Sequence, residues 1–231
     1  MKATKTWLIS AAALALTACG GGSNNTTTPS ATLFPVESVI ANLYSTAQTF
    51  SATFNYTDNA GAAHTQTIAW SYAPGTSTLF EGSMRATTTQ TQTITTDGVL
   101  GTPSTGITYY STGPLKTYGW TCNDGSCYGV QNTAVTLPAS SAVVGTIGTA
   151  GNATDYTSSA KTTVKSTSID TASLNTDTAT TAWLCLDSVT QDTGVIGTRS
   201  FSECYKIDTA GAIHGAKLIL KTVQGVTVTY Q

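Results

Sequence analysis

Phe50-Ser51-Ala52-Thr53-Phe54-Asn55-Tyr56 runs into Asp58-Asn59-Ala60-Gly61, and Ile68-Ala69-Trp70-Ser71-Tyr72 follows before Pro74-Gly75. Apolar side chains fall at every second position on both sides of a turn. Side chains of a strand point alternately to opposite faces, so this period predicts two half-buried strands. Asp, Asn and Gly between them supply the turn. The same grammar continues outward. Leu79 to Thr96 is a long threonine-rich stretch ending at Asp97-Gly98, and Ile107–Ser111 and Leu115–Cys122 flank Gly113-Pro114. Thr181–Val189, Phe201–Ile207, Ile213–Val223 and Val226–Tyr230 read as a meander, with its last turns at Thr209-Ala210-Gly211 and Gln224-Gly225. Threonine suits a pleated, half-solvated surface. The expected class is all-β: a mainly antiparallel sheet, arranged as a sandwich or a curved half-barrel. Residues 131–180 carry the weakest pattern. Ala160–Ile169 reads there as an edge strand or a solvated hairpin, with Lys161 and Lys165 discouraging edge-to-edge pairing. No internal repeat stands out.

One segment breaks the two-residue period. Val36, Val39, Ile40, Leu43, Tyr44 and Ala47 fall on one helical face, which predicts a helix over about 36–47. Pro35 suits the first turn, and Glu37 suits the positive end of the helix dipole. The polar face carries no lysine or arginine, so the helix is expected to pack on the sheet rather than lie on a membrane.

The N-terminus decides the address. Lys2 and Lys5 precede an uncharged apolar run from Trp7 to Thr17. The run is too short to span a bilayer, which needs about 20 apolar residues. It reads as a signal peptide over 1–18. Leu16-Thr17-Ala18-Cys19 resembles the lipobox of bacterial lipoprotein precursors. The resemblance implies a diacylglyceryl group on Cys19, cleavage just before it and often acylation of the new amino terminus. Gly20 stands where an inner-membrane retention signal would place aspartate, which implies an outer-membrane address. Residues 19–32 then form a flexible tether of Gly, Ser, Asn and Thr, and 33–231 form a single β domain. Two acyl chains give stable attachment, since each buried methylene contributes about 0.8 kcal/mol.

Composition narrows the rest. The net charge is −2; removing Lys2 and Lys5 from the ten basic residues leaves eight against twelve acidic ones. With no basic run, nucleic acid is not an expected partner. Apart from Cys19, the cysteines are Cys122, Cys127, Cys185 and Cys204. Four cysteines allow three pairings. Cys122–Cys127 and Cys185–Cys204 are favoured, because each pair flanks a local hairpin and Asp124-Gly125 makes the first turn. A zinc site would call for two Cys-x-x-Cys knuckles, which are missing, and an oxidising compartment favours disulfides.

The sequence shows no catalytic motif, no cofactor fingerprint and no metal motif. His64 and His214 lack a Gly-x-Ser-x-Gly partner and read as exposed strand-end residues. Asp187, Asp192 and Glu203 show no spacing that would set two carboxylates across a cleft. Asn123-Asp124 and Asn175 with Asp177 lack the alternating acids of a calcium-binding loop. Trp70, Trp120 and Trp183 fall in strands and are candidate ligand-binding residues, with core packing as the alternative.

The expected role is a membrane-anchored envelope lipoprotein, non-enzymatic, acting as a structural or interaction module with an envelope partner. The alternative is a periplasmic carrier of a lipid or other apolar ligand between helix and sheet. In element order, one helix and then antiparallel strands, the chain is similar to the curved-sheet carriers of lipidated proteins. A hydrolase with an unrecognised site is the third reading. Cys19→Ala is expected to shift the protein from the membrane to the soluble fraction on cell fractionation; unchanged membrane association would refute the lipobox reading.

Overall fold

A computed structural model describes residues 31–58 and 60–231. The signal-peptide, lipobox and most of the tether assignments, Cys19 included, lie outside the described residues. Helix α1 (Val36–Ser45) precedes strands β1 (Gln48–Thr57), β2 (Ala63–Pro74), β3 (Thr78–Phe80), β4 (Ser83–Thr96) and β5 (Val99–Leu100). Then come β6 (Ser104–Thr112), β7 (Leu115–Cys122), β8 (Tyr128–Thr133), β9 (Gly151–Tyr156) and β10 (Val164–Thr176). The last four are β11 (Thr181–Asp192), β12 (Arg199–Asp208), β13 (Ile213–Lys221) and β14 (Thr227–Tyr230).

The strands pair antiparallel along a single path, β1-β2-β4-β6-β7-β8-β9-β10-β11-β12-β13-β14, with β3 and β5 set beside β4. The sheet curls until its ends meet. Thr53 of β1 and Gln231, just past β14, exchange backbone hydrogen bonds of 3.3 and 3.2 Å. The result is a nearly closed barrel, not a sandwich. Ring closure also relocates the Ala160–Ile169 segment. Its second half belongs to β10, which lies between β9 and β11 and is not an edge. The weak pattern there reflects small inward residues, since Ser166 and Ala172 are buried without bulk. Lys161 sits in the preceding turn and bonds Glu81 at 2.7 Å.

Register fixes the two faces. Ala52, Ile68, Trp70, Tyr72, Leu174, Leu184, Tyr205 and Leu218 point inward and are buried. Between them, β1 turns Thr49, Ser51 and Asn55 outward, and β4 turns out Thr91, Thr93 and Thr95. Apolar residues inside and hydroxyls outside are the reverse of a membrane-spanning barrel. Cross-strand threonines support the outer face, as in Thr53 with Thr67 at 3.1 Å.

Helix α1 inserts its apolar face into one end of the ring. Val36, Val39, Ile40 and Leu43 are all buried. The helix ends at Ser45, two residues short of the expected limit. Thr46 is extended, and its N–H closes the last turn on Asn42 at 3.0 Å. Phe34 holds the approach by bonding Ala142 in the long β8–β9 connection. The β12–β13 turn closes over the helix start. A Cβ at Gly211, which has φ +85°, would sit 3.0 Å from the Pro35 ring, so a side chain is excluded both by backbone and by space.

Both cysteine pairs form disulfides. Cys122–Cys127 closes the β7–β8 turn, and Cys185–Cys204 joins facing residues of β11 and β12. The β3–β4 hairpin folds over the outer wall. There Phe80 stacks on Tyr109 at 4.2 Å, and Arg85 lies 3.5 Å over the Tyr118 ring.

Leu43 is fully buried where helix meets sheet. Leu43→Ala is expected to cost about 2–5 kcal/mol of stability, read as a lower urea midpoint at unchanged slope. A loss under about 1 kcal/mol would mean that the helix is not part of the core.

Candidate functional site

The barrel is filled lopsidedly. On the arc from β12 through β13, β14 and β1 to β2, the inward side chains are large. Phe50, Trp70 and Tyr205 pack with centroids 5.6 Å (Phe50–Trp70) and 5.0 Å (Phe50–Tyr205) apart. On the arc from β6 to β9 the register points Gly106, Thr108, Gly129, Ala153 and Gly151 inward. Small residues there leave a cavity of about 420 Å³ inside the sheet. Its apolar wall includes Ile40 and Tyr44 of the helix, Leu115, Leu137, Leu186 and Phe201. That volume is in the range of small-molecule sites.

Trp120 forms part of the wall, and its position depends on its neighbour. Gly129 pairs with Trp120 across β7 and β8, and a Cβ at Gly129 would fall 2.0 Å from the indole. The ring therefore lies flat against bare backbone.

Glu203 lines the same cavity and is buried. It is held by a layered set of donors. Tyr72 donates to its Oε1 at 2.7 Å, and Tyr205 donates to the same oxygen. Each phenol oxygen in turn accepts from nitrogen. Gln90 Nε2 donates to Tyr72 at 3.2 Å, and Trp70 Nε1 to Tyr205 at 3.5 Å. Burial pushes the Glu203 carboxyl above its usual range, and the hydrogen bonds offset part of that shift. Burial also drives Tyr72 and Tyr205 well above the usual phenol value and carries Tyr44 up to about 12. All three phenols near the acid are therefore neutral at physiological pH, and Tyr72 and Tyr205 are its donors.

A second carboxylate, Asp170, points inward from β10. Its Oδ2 accepts from Gln131 Nε2 at 3.3 Å and Ser168 Oγ at 3.2 Å. Two bases lie nearby. Lys116 borders the cavity from an exposed position between the inward Leu115 and Thr117. Arg199, on the inward face of β12, is paired with Asp192 through bonds of 2.9 and 3.1 Å.

The three candidate tryptophans do not converge. Trp120 lines the cavity. Trp70 is buried behind it and anchors Tyr205. Trp183 pairs with Lys206 on the outer face, donates to Asp177 at 3.2 Å and lies 4.0 Å from Lys217 Nζ. Asp177 is also committed to Lys206 at 2.8 Å.

The histidines sit at hairpin turns, away from the cavity. His64 bridges two turns, with Nδ1 2.6 Å from Asp97 and Nε2 3.3 Å from Asp58. The two acids raise its pKa; that of Asp97 is lowered chiefly by His64, and that of Asp58 first by the Ala62 N–H and then by His64. His214 meets Asp208 at 2.7 Å. These two sites share a local repeat missed by inspection of the sequence. Asp58 to His64 and Asp208 to His214 both read Asp-x-Ala-Gly-Ala-x-His. In each, the aspartate accepts two turn N–H groups, from Ala60 and Ala62 or from Ala210 and Ala212. The remaining oxygen takes the histidine. This is a turn lock with no hydroxyl nucleophile among its bonds.

Of the other acids weighed in the sequence, Asp187 accepts from Ser173 at 3.1 Å and Asp192 holds Arg199, and neither pairs with Glu203. Glu203 was nevertheless readable. It sits in phase with Phe201, Tyr205 and Ile207, and an acid in phase with an apolar stripe is an acid on the buried face. Comparison with family models, curated proteins and solved structures finds no match.

The raised carboxyl gives a signed prediction. Glu203 favours the fold fully below its unfolded value, and that contribution is lost as pH rises through the higher folded value. Glu203→Gln keeps an acceptor but cannot ionise. Relative to wild type it is expected to gain stability as pH rises above the ordinary carboxyl range, where the buried wild-type acid must ionise. Urea unfolding over that rise in pH checks it; a parallel pH profile for the two proteins contradicts the assignment.

Proposed function

We propose that this protein is a ligand-binding β-barrel of the cell envelope, tethered by lipid on Cys19, that holds a small, largely apolar molecule inside the ring. The observation that carries this reading is the cavity. The fold keeps about 420 Å³ of space beside an otherwise dense core, although protein interiors are close-packed and such voids cost stability. Conserving the space by a run of small inward residues, and edging it with Trp120, Gln90, Asp170 and Glu203, matches a mostly apolar pocket with a few orienting polar groups.

The lipobox supports the address, and the two disulfides accord with an oxidising compartment. The ring offers its backbone groups to its own strands, which leaves the interior as the site of chemistry rather than a sheet edge. The histidines supply no supported hydrolytic site, because both are spent on turn aspartates.

Cys19→Ala protein, purified without detergent and examined by native mass spectrometry, tests this. A bound mass that is released on unfolding, and that is lost when Thr108→Phe fills the cavity, is the expected outcome. A bare mass that stays bare in the presence of crude envelope extract would overturn it. The Thr108→Phe protein should also unfold at a urea concentration equal to or above that of wild type, since it fills a void.

A further inference from the structure

We infer that the cavity selects a cation: its ligand is a small apolar molecule carrying one positively charged amine, which is received by Glu203, with Asp170 as a second acceptor on the same wall. This rests on the ligand-binding reading above and specifies its substrate class.

The argument begins with the wall chemistry. The inward positions of the cavity carry carboxylates at Glu203 and Asp170, and among the described residues the one base that borders it is Lys116, on an exposed, outward-facing position of β7. Lys116 stands at the solvent side of the wall, opposite in phase to the inward Leu115 and Thr117, and Arg199 is neutralised by Asp192. A buried carboxylate without a counter-charge is costly unless hydrogen bonds or a partner offset it. The hydrogen bonds at Glu203 are those of an acceptor. Two phenols donate to it, and each phenol is itself polarised by an N–H from Gln90 or Trp70. Such chained donors strengthen one another and favour the ionised acid. They supply partial charge only, so the site remains one positive charge short.

The surrounding surface fits the rest of such a molecule. Trp120, Tyr44 and Tyr72 border the cavity with Glu203, and aromatic faces attract cations. Leu115, Leu137, Leu186 and Phe201 provide the apolar remainder. An anionic ligand such as a fatty acid would face two inward carboxylates, with only the exposed Lys116 at the border to receive it. A neutral ligand would leave the charge of Glu203 unanswered.

The test uses three isosteric probes with the Cys19→Ala protein at neutral pH: tryptamine, its alcohol analogue tryptophol, and indole-3-acetate. Isothermal titration calorimetry is expected to show tryptamine binding about tenfold or more tighter than tryptophol, with indole-3-acetate weakest. That ratio corresponds to about 1.4 kcal/mol. Glu203→Gln is expected to abolish the preference while tryptophol binding persists, and Asp170→Asn to reduce it in part. Equal binding of the three probes, or a preference for the carboxylate, overturns the cation assignment and leaves the binding-barrel reading standing. Absence of binding by all three, in a protein that also carries no ligand from cells, overturns both. The ranking in unmutated cavity residues decides by itself if Glu203→Gln does not fold.

Discussion

The hydrogen bonds that Tyr72 makes with Glu203 and with the Tyr205 hydroxyl tie β2 to β12 across the inside of the ring. They mark a boundary. On one side Phe50, Trp70, Tyr205 and the helix make a dense core. On the other the inward residues shrink to glycine, alanine and threonine, and space opens. A low-dielectric interior makes this junction stiff when all its partners are present and expensive when one is missing. Its geometry in turn needs the helix. Tyr44 packs 6.1 Å from Tyr72 and 5.2 Å from Tyr110, and Tyr110 donates back to the Tyr44 carbonyl at 3.3 Å. Helix, phenols and acid thus stand or fall together.

The all-β class, the helix start and the long hairpins were legible because their signals are local. Alternation around Phe50 and Ile68 depends only on the two-residue period of a strand, and Asp-Gly or Gly-Pro steps mark the turns. Cys185 and Cys204 could be paired because a hairpin lies between them. The ring itself was not legible. Its closing contact joins Thr53 to Gln231, and nothing in either residue encodes a partner so far away in the chain. β10 was misplaced for the same reason, since whether a strand is an edge depends on neighbours rather than on its own residues.

The cavity was illegible in a different way. Gly106 and Gly129 fall outside the strands read from the sequence, Ile107–Ser111 and Leu115–Cys122, and only register shows that both face inward beside Thr108 and Trp120. Trp183 shows the converse. It is as aromatic as Trp120, yet the one-residue phase difference from Leu184 puts it on the outer surface with Lys217. Glu203 lay between these cases. Its phase within Phe201, Tyr205 and Ile207 was visible, but an acid draws attention through acidic neighbours in sequence, and its real neighbours are Tyr72 and Gln90, more than a hundred residues away.

The meander has a consequence for how the molecule is assembled. Nearly every strand pairs with its predecessor in the chain, so each hairpin can form soon after its two arms meet, with little loop-closure entropy. β4 with β6 skips only the short β5 arm, and β8 with β9 spans the 134–150 connection. The Thr53–Gln231 seam is different, because it encloses the whole domain and joins strands through a single residue pair. Folding of such a ring proceeds as a zipper that ends in one long-range clasp. Before the clasp engages, the sheet is an open curl with two unpaired borders, and those borders are the part of the protein most exposed to pairing with another copy.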